Sequence, residues 1–588
     1  MCGIYGYVGK KNNAADIVLE GLKLLEYRGY DSWGVAVKVG KKLDVDKHVG
    51  KIGQAIVNLP KSNLGIGHTR WATHGGVTVA NAHPHLDCTK SIAVVHNGIV
   101  ENFLELRATL MEQGHVFISE TDTEVIGHLI EENLKTGQGF ATAVRNAFNQ
   151  LRGLNAIVVA NAVSTEIIAA KTGSPLIAGI GNNEFFVASD ASGIVRHTKK
   201  VIFLEDNQML ILGKTIKVIR LPEGKEVKPV YHTINWKFER GEKGKFKHFL
   251  LKEIYDQPQI IDNIAVNYKE ETKKLAGLIE NAFGTFMLAC GSASYAGLVA
   301  TYLFSRVAKK HVNFAIGSEF IYLEDYVTKG TLVIPISQSG ESVDVTEPVM
   351  RAKEKGATIA AIVNVLGSTL YRFADHKVLI GAGVERSVAA TKSFVAMVAV
   401  IMLTAYTLAK KQNEGEALLI KASENVKKIL QPKSLEKIKS LADELKNKEH
   451  IYIIGRGLSY ATALEATLKL KECAYIHAEG FSGGELKHGV IALIEKGTPC
   501  IVFAPNDETY DDIVSNAQEI KARGGFIIGI GPKNNPVFDR FLDTIDAGDA
   551  TIIPQVVVSQ LLAYNLALKR GIKDPDKPRN LAKSVTVK

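Results

Sequence analysis

Two hydrophobic patterns divide this chain. Up to about residue 225, short apolar runs alternate with turns, and Ile92–Val95, Ala156–Ala160 and Ile167–Ala170 have the length and polar borders of strands. Only Ala14–Glu26 and Thr123–Leu134 carry apolar residues at helical spacing, so this part predicts a β-rich domain with two helices. Farther on, apolar runs alternate with amphipathic helical stretches: Thr285–Ala289, Leu332–Ile336, Thr358–Val363, Ile451–Ile454, Cys500–Ala504 and Gly525–Ile530. That alternation predicts parallel sheets covered by helices on both faces.

The second pattern repeats. Ser294-Tyr295-Ala296 follows one predicted strand and Ser459-Tyr460-Ala461 follows another, 165 residues on. A charged helical connector, roughly 412–448, separates the two copies, so two tandem α/β subdomains are expected. The polar stretch Arg240-Gly241-Glu242-Lys243-Gly244-Lys245 reads as a linker. The expected boundaries are 1–225 for the first domain, 226–246 for the linker, 247–411 and 412–573 for the two α/β domains, and 574–588 for an irregular tail ordered by docking.

At 588 residues the chain exceeds one hydrophobic core. Its 46% hydrophobic and 23% charged residues exclude a long disordered part. The net charge of +9 suits anionic small molecules, but the basic residues are scattered and no nucleic-acid motif accompanies them. Five cysteines, at 2, 88, 290, 473 and 500, form neither a disulfide framework nor a metal-ligand pattern. No signal peptide is legible at the start. The uncharged run Ser393–Ala409 is at the lower limit for a membrane span, but a buried helix of an α/β domain is the expected reading. A cytoplasmic protein with no membrane and no nucleic-acid partner is expected.

Candidate chemistry begins at Cys2. If Met1 is removed, thiol and free α-amine belong to one residue, and the amine can take the thiol proton directly or through one water; the alternative is a small residue opening a strand. Four clusters join it: Tyr27-Arg28-Gly29-Tyr30-Asp31-Ser32, His68-Thr69-Arg70-Trp71-Ala72-Thr73-His74-Gly75, His96-Asn97-Gly98 and Ser119-Glu120-Thr121-Asp122-Thr123-Glu124. Asn97 and Gly98 suit an oxyanion, Arg70 a carboxylate, and Asp122 an ammonium. In this order and spacing the clusters resemble the N-terminal-nucleophile glutamine amidotransferase domain over about 225 residues. The resemblance implies a sandwich of two sheets between helices, with Cys2, Asn97 and Gly98 catalytic, Arg70, Trp71, Thr73, His74 and Asp122 binding glutamine, and Trp71 gating an ammonia channel. Trp33 departs from it, standing where a small residue is common.

In the later half, Ser337-Gln338-Ser339-Gly340-Glu341-Ser342 joins a strand to a helix, and offers either a phosphate cradle or an ordinary helix cap. Glu465, Lys469 and Glu472 share one helical face, either as an exposed charge ladder or as groups that move protons. The loop resembles that of sugar isomerase (SIS) domains. The run from Lys469 to Glu472, His488, and the tail Asn580–Val587 resemble a family of glutamine-dependent amidotransferase/isomerases. That resemblance implies conversion of fructose 6-phosphate and L-glutamine to glucosamine 6-phosphate and L-glutamate. Lys583 would form the imine, Glu472 would move the proton, and His488 would assist ring opening beside Lys469. Ser292, Ser337, Gln338, Ser339, Ser342, Val388 and Ala582 would line the sugar phosphate site. No cofactor and no metal is expected, and a homodimer through the SIS domains is implied. Ala293 stands where the family has a hydroxyl. Two other readings stay open: a glutaminase coupled to another acceptor such as phosphoribosyl pyrophosphate, and a non-catalytic phosphosugar sensor.

Overall fold

The computed structural model describes residues 2–234 and 243–585. The chain divides into two compact units, Met1–Glu239 with Ala582–Lys588, and Arg240–Leu581.

In the first unit the two-residue period of the strands sorts side chains between layers. Ile4 and Val8 of the strand Gly3–Gly9 face one core, and Tyr5 and Tyr7 another. Ala93 and Val95 of Ile92–Gly98 are likewise opposed to Ile92 and Val94. The inner faces of an eight-stranded and a seven-stranded sheet meet in the central core. The helix Ala14–Leu25 covers the outside of the first sheet, and Glu124–Lys135 and Phe140–Phe148 that of the second. This is the expected sandwich of two sheets between helices. Pairing of Gly3–Gly9 with Leu64–Arg70 sets Gly3 opposite Thr69, which carries Cys2 to the Arg70-Trp71 end of its neighbour.

The first unit departs from expectation in its helices. Phe103–Glu112 and Phe140–Phe148 are also helical. The former buries only Leu110 among its ten residues, so no apolar stripe marks it. Strands Lys225–Val227 and His232–Thr233 join the first unit's sheets inside the stretch read as linker. Arg240-Gly241-Glu242, at the centre of that expected linker, lie outside the described residues.

The second unit holds two five-stranded parallel sheets of one order: Asn313–Ile316, Gly284–Ala289, Thr331–Ser337, Thr358–Val363, His376–Leu379, and His477–Ser482, His450–Gly455, Pro499–Phe503, Phe526–Gly531, Arg540–Asp543. In both copies the first strand in sequence leads through a left-handed glycine, Gly291 at φ 58° and Gly457 at φ 54°, into the helices Ser292–Arg306 and Leu458–Ala474. Only glycine takes that turn without strain. The Ser-Tyr-Ala echo lies on the first turn of both helices. The run read as a buried helix is Lys392–Leu408, buried at every position from Lys392 to Tyr406. Ile552–Lys569, which the apolar pattern had not marked, is buried from Ile552 to Ala567. It belongs to the one stretch among the described residues that is long and apolar enough to cross a membrane, and 94% of its apolar window is buried. Both helices lie in the core that the two copies share.

Candidate active sites

Cys2 stands at a cleft lined also by Arg70, Trp71, Thr73, His74, Asn97, Gly98 and Asp122, so the first unit brings together every residue expected there. The Trp71 amide donates to Cys2 Sγ at 3.2 Å. Burial raises the thiol's pKa, opposed among others by that amide and by the charge of Arg70. Arg28 Nε at 3.4 Å and Asn97 Nδ2 at 3.0 Å both donate to the Cys2 carbonyl. His68 Nε2 lies 3.0 Å from Asn97 Oδ1, which turns the amide NH2 toward Cys2. Gly98 has φ 138°, and a Cβ there would meet the Leu154 carbonyl at 2.4 Å, so the site requires glycine.

Arg70 is engaged within its own loop. Its guanidinium donates to the carbonyls of His74, of Gly75 at 3.1 Å and of Gly76 at 3.1 Å. A carboxylate would have to exchange with some of these acceptors. Asp122 accepts from the Val100 amide at 2.8 Å, and Asp31 from the Ala72 amide at 2.8 Å. Behind the cleft His83, which none of the four clusters contains, joins His68 and His96. His83 Nδ1 is 3.0 Å from His68 Nδ1, and His96 is held between Thr123 and Asn155 at 3.0 and 2.9 Å. Burial pushes His68 down to about 3 and lowers His83 and His96, so all three are neutral. The unusual Trp33 is buried and stacks on His48 with centroids 4.4 Å apart.

In the second unit the loop after Thr331–Ser337 is self-supporting. Ser337 Oγ accepts from the Gly340 amide at 3.0 Å and Ser339 Oγ from the Glu341 amide at 3.2 Å. Glu341 holds the Thr369 amide and hydroxyl at 2.9 and 2.8 Å. Ser342 precedes the helix Val343–Glu354 and makes no side-chain capping bond, so the ordinary-cap reading fails for its hydroxyl. The corresponding loop of the second copy is acidic: Asp507 caps Thr509, beside Glu508, Asp511 and Asp512. Two of these carboxylates pair with Arg306, 3.8 Å from Asp507 and 2.8 Å from Glu508.

The charge-ladder reading also fails. Glu465 and Lys469 are 0% and 1% exposed. Lys469 Nζ sits 3.4 Å from Glu465 and 2.5 Å from Glu472, whose side chain is 17% exposed. Burial alone would lower the Lys469 pKa, but the two carboxylates outweigh it and hold the ammonium charged. Burial raises Glu465 to about 7 against the pull of Lys469. Ser292, expected at the phosphate, donates instead to Glu465 Oε1 at 3.2 Å and ties the helices of the two copies together. His488 is exposed at the end of the turn Gly483–His488.

The tail is fixed by polar contacts. The Asp576 carboxylate accepts from the Phe249 and Leu250 amides at 2.9 and 2.7 Å, and its carbonyl accepts from the Val388 amide at 2.8 Å. The Arg579 amide donates to the Tyr475 hydroxyl at 2.8 Å. Ala582 and Lys583, both half-buried, group with the first unit, whereas Glu472 and His488 belong to the second. Thr586, Val587 and Lys588 lie outside the described residues.

Comparison with known proteins covers the whole chain. Residues 68–196 match a glutamine amidotransferase domain, and residues 278–406 and 444–570 match the SIS domain. Proteins named glutamine–fructose-6-phosphate aminotransferase [isomerizing] from Thermococcus kodakarensis and Thermus thermophilus are 45% and 41% identical, with 100% of this chain and of each relative covered. The solved C-terminal domain of glucosamine-fructose-6-phosphate aminotransferase from Francisella tularensis is 34% identical at a TM-score of 0.50, over 56% of this chain and 98% of that one. With a nucleophile cleft in one unit, a duplicated sugar isomerase sheet in the other and relatives alike from end to end, the chain belongs to the glutamine–fructose-6-phosphate aminotransferase (isomerizing) family.

Proposed function

We propose that this enzyme converts fructose 6-phosphate and L-glutamine to glucosamine 6-phosphate and L-glutamate, as the names of its relatives indicate for them. The observation that carries this reading is the cleft lined by Cys2, Arg70, Asn97, Gly98 and Asp122, in a chain whose second unit is a tandem sugar isomerase pair. With Met1 removed, the Cys2 α-amine accepts the thiol proton and sulfur attacks the glutamine amide. The Asn97 amide and the Gly98 N–H stabilise the oxyanion. Arg70 exchanges loop carbonyls for the substrate carboxylate, Asp122 receives its ammonium, and Thr73 and His74 border it. Ammonia leaves as the thioester forms, and water then releases glutamate.

In the isomerase reaction Ser337, Gln338, Ser339 and Ser342 hold the phosphate while Val388 and Ala582 border the sugar. Lys583 forms the imine with the open-chain ketose as water leaves, ammonia then displaces the lysine to leave its own nitrogen as the C2 imine, and Glu472 moves a proton from C1 to C2. His488 assists ring opening. Charged Lys469 orients Glu472, and its protonated state argues against its being the imine lysine. Ser292 contributes through Glu465 as well as through the sugar. The exposed Ile316, Tyr322, Leu323 and Tyr326 supply an apolar surface for a homodimer of the second unit, to be checked by light scattering. Five unpaired cysteines suit the reducing cytoplasm.

The test is product identification. Incubation with glutamine and fructose 6-phosphate should yield equal amounts of glutamate and glucosamine 6-phosphate. Borohydride with fructose 6-phosphate should leave an adduct on the peptide containing Lys583. An adduct on Lys469, or no aminosugar, overturns the assignment.

A further inference from the structure

Four side chains that the glutamine cleft does not use converge elsewhere in the first unit. Cys88 stands in the turn between His85–Leu86 and Ile92–Gly98, and His115 follows the helix Phe103–Glu112. His128 and Glu131 lie three residues apart on one face of Glu124–Lys135. Cys88 Sγ is 3.6 Å from Nδ1 of His115 and 3.6 Å from Nδ1 of His128. The two Nδ1 atoms are 3.1 Å apart, and Glu131 Oε2 lies 3.2 Å from the first and 3.4 Å from the second. All four candidate ligand atoms fall within 4.8 Å of one another.

Protons alone do not account for this geometry. Each imidazole has at most one hydrogen on Nδ1, yet each Nδ1 faces another nitrogen, a sulfur and a carboxylate oxygen at once. With both nitrogens protonated the two N–H groups point at each other across 3.1 Å; with one, its single hydrogen serves only one of its three neighbours, and even with the Cys88 thiol donating to the other nitrogen the remaining contacts carry no hydrogen bond. A cation at the centre accepts all four lone pairs. Zinc bonds of about 2.0–2.3 Å in a tetrahedron span edges of roughly 3.3–3.7 Å between ligand atoms, and the edges given above cluster around that range. Thiolate and carboxylate together neutralise a divalent ion, and a thiolate with two imidazoles favours zinc over magnesium or calcium. One outer nitrogen is also braced: His115 Nε2 is 2.6 Å from Glu132 Oε1, whereas His128 Nε2 faces Glu124 Oε1 at 3.7 Å without a hydrogen bond. Carboxylates in that position orient metal-bound histidines. His115, His128 and Glu131 are buried while Cys88 is exposed, which leaves an entry path from solvent.

We propose that Cys88, His115, His128 and Glu131 form a structural zinc site. Binding replaces the Cys88 thiol proton, released to water, by a zinc–sulfur bond. Four protein ligands close the coordination shell, so the site is a staple and not a second reaction centre. It joins the 87–91 turn, the segment after Phe103–Glu112 and the helix Glu124–Lys135. Thr121, Asp122 and Thr123, which lead into that helix, line the glutamine cleft, so the staple fixes the element that carries Asp122. The expectation that no cysteine of this chain takes part in metal binding therefore gives way at Cys88. Sequence spacing could not reveal it, because the ligands come from three separate elements.

The test uses the full chain without a polyhistidine tag, stripped with a chelator and titrated with Zn²⁺ or Co²⁺ alone. One equivalent of zinc should remain after gel filtration of the wild type and be lost in Cys88→Ser and Glu131→Gln. Glu132→Gln should weaken zinc binding by about 10- to 100-fold. Cobalt should give the visible bands of a tetrahedral site and a near-ultraviolet thiolate charge-transfer band, a reading on the wild type that no misfolded variant can confuse. Zinc retained equally by wild type and Cys88→Ser, or a cobalt spectrum without the thiolate band, overturns the proposal.

Discussion

Both units bury polar chemistry, but differ in what stands behind their reactive groups. The Cys2 cleft carries the buried ions Arg70 and Asp122 on its wall, but behind it the first unit packs neutral imidazoles: His68, His83 and His96 are enclosed, and their burial makes the imidazolium unfavourable. The second unit encloses ions instead, with Lys469 clasped by Glu465 and Glu472 on one helix. Neutral imidazoles give hydrogen bonds with direction, which suits aiming Asn97 at a nucleophile. A fixed ammonium holds the Glu472 carboxylate in place, at the cost of complete dependence on its partners. The two units should therefore fail in different ways.

The sharpest separation comes from Cys2→Ala. Removing the nucleophile should lower glutamine hydrolysis on the order of 10⁴-fold or more, while fructose 6-phosphate is still isomerised to glucose 6-phosphate, a reaction that does not use Cys2. Glutamate release and glucose 6-phosphate formation measure the two halves separately. Residual glutaminase near the wild-type rate would dissolve the division, and so would equal loss of both activities.

Next in size is Lys469→Met. It leaves two carboxylates facing each other without their cation, and breaking a buried pair from one side costs about 3–5 kcal/mol. Calorimetry should register this in the second unit. Trp33 and Trp71 belong to the first unit and the sequence has no tryptophan beyond position 236, so the fluorescence transition should stay where it is. An unchanged calorimetric profile would mean that the triad is not buried as ions.

These contrasts were only partly legible in the sequence. Ile92–Val95 and Thr358–Val363 could be read because a central strand is a continuous apolar run. The outer strands His376–Leu379 and Arg540–Asp543 could not, since four residues of mixed polarity become a strand only through the one parallel neighbour that supplies their ladder hydrogen bonds. Cys2, Arg70 and Asn97 were legible because each sits in a motif with its own chemistry. The i, i+4, i+7 spacing of Glu465, Lys469 and Glu472 fixes a shared face but not whether that face meets water or a packed neighbour. His83 carries no local signal, because its partner His68 is brought to it by the fold and not by spacing.

Acid should act with opposite sign on His68 and on Glu465. His68 titrates at about 3 when folded and near 6.5 when unfolded. The unfolded state therefore holds the extra proton between those values, and the first unit loses stability as pH falls through that window, by up to about 1.4 kcal/mol per pH unit for each such histidine. Glu465 reverses the sign. Its folded value of about 7 exceeds the unfolded 4.5, so its contribution to the second unit improves as pH falls from 7 to 4.5. Tryptophan fluorescence at several pH values should show the first unit melting earlier in acid, in wild type and Cys88→Ser alike. A first-unit transition that does not move between pH 6.5 and 4 would argue that the histidines are already charged when folded.

The smallest effect concerns Trp71, because it should leave both reactions standing. Its backbone amide, not its ring, contacts Cys2 Sγ at 3.2 Å, so Trp71→Ala keeps the hydrogen bond to the nucleophile and glutamine hydrolysis should fall less than about tenfold. The ring is half-buried beside Arg70 at the cleft that releases ammonia. Without it, ammonia has an open route to water, and glutamate should be produced in excess of aminosugar, with the excess growing as fructose 6-phosphate is made scarce. Supplying external ammonium should restore aminosugar formation, because the second unit is untouched. A one-to-one ratio of glutamate to glucosamine 6-phosphate in Trp71→Ala would assign ammonia retention to another residue and leave Trp71 a packing role alone.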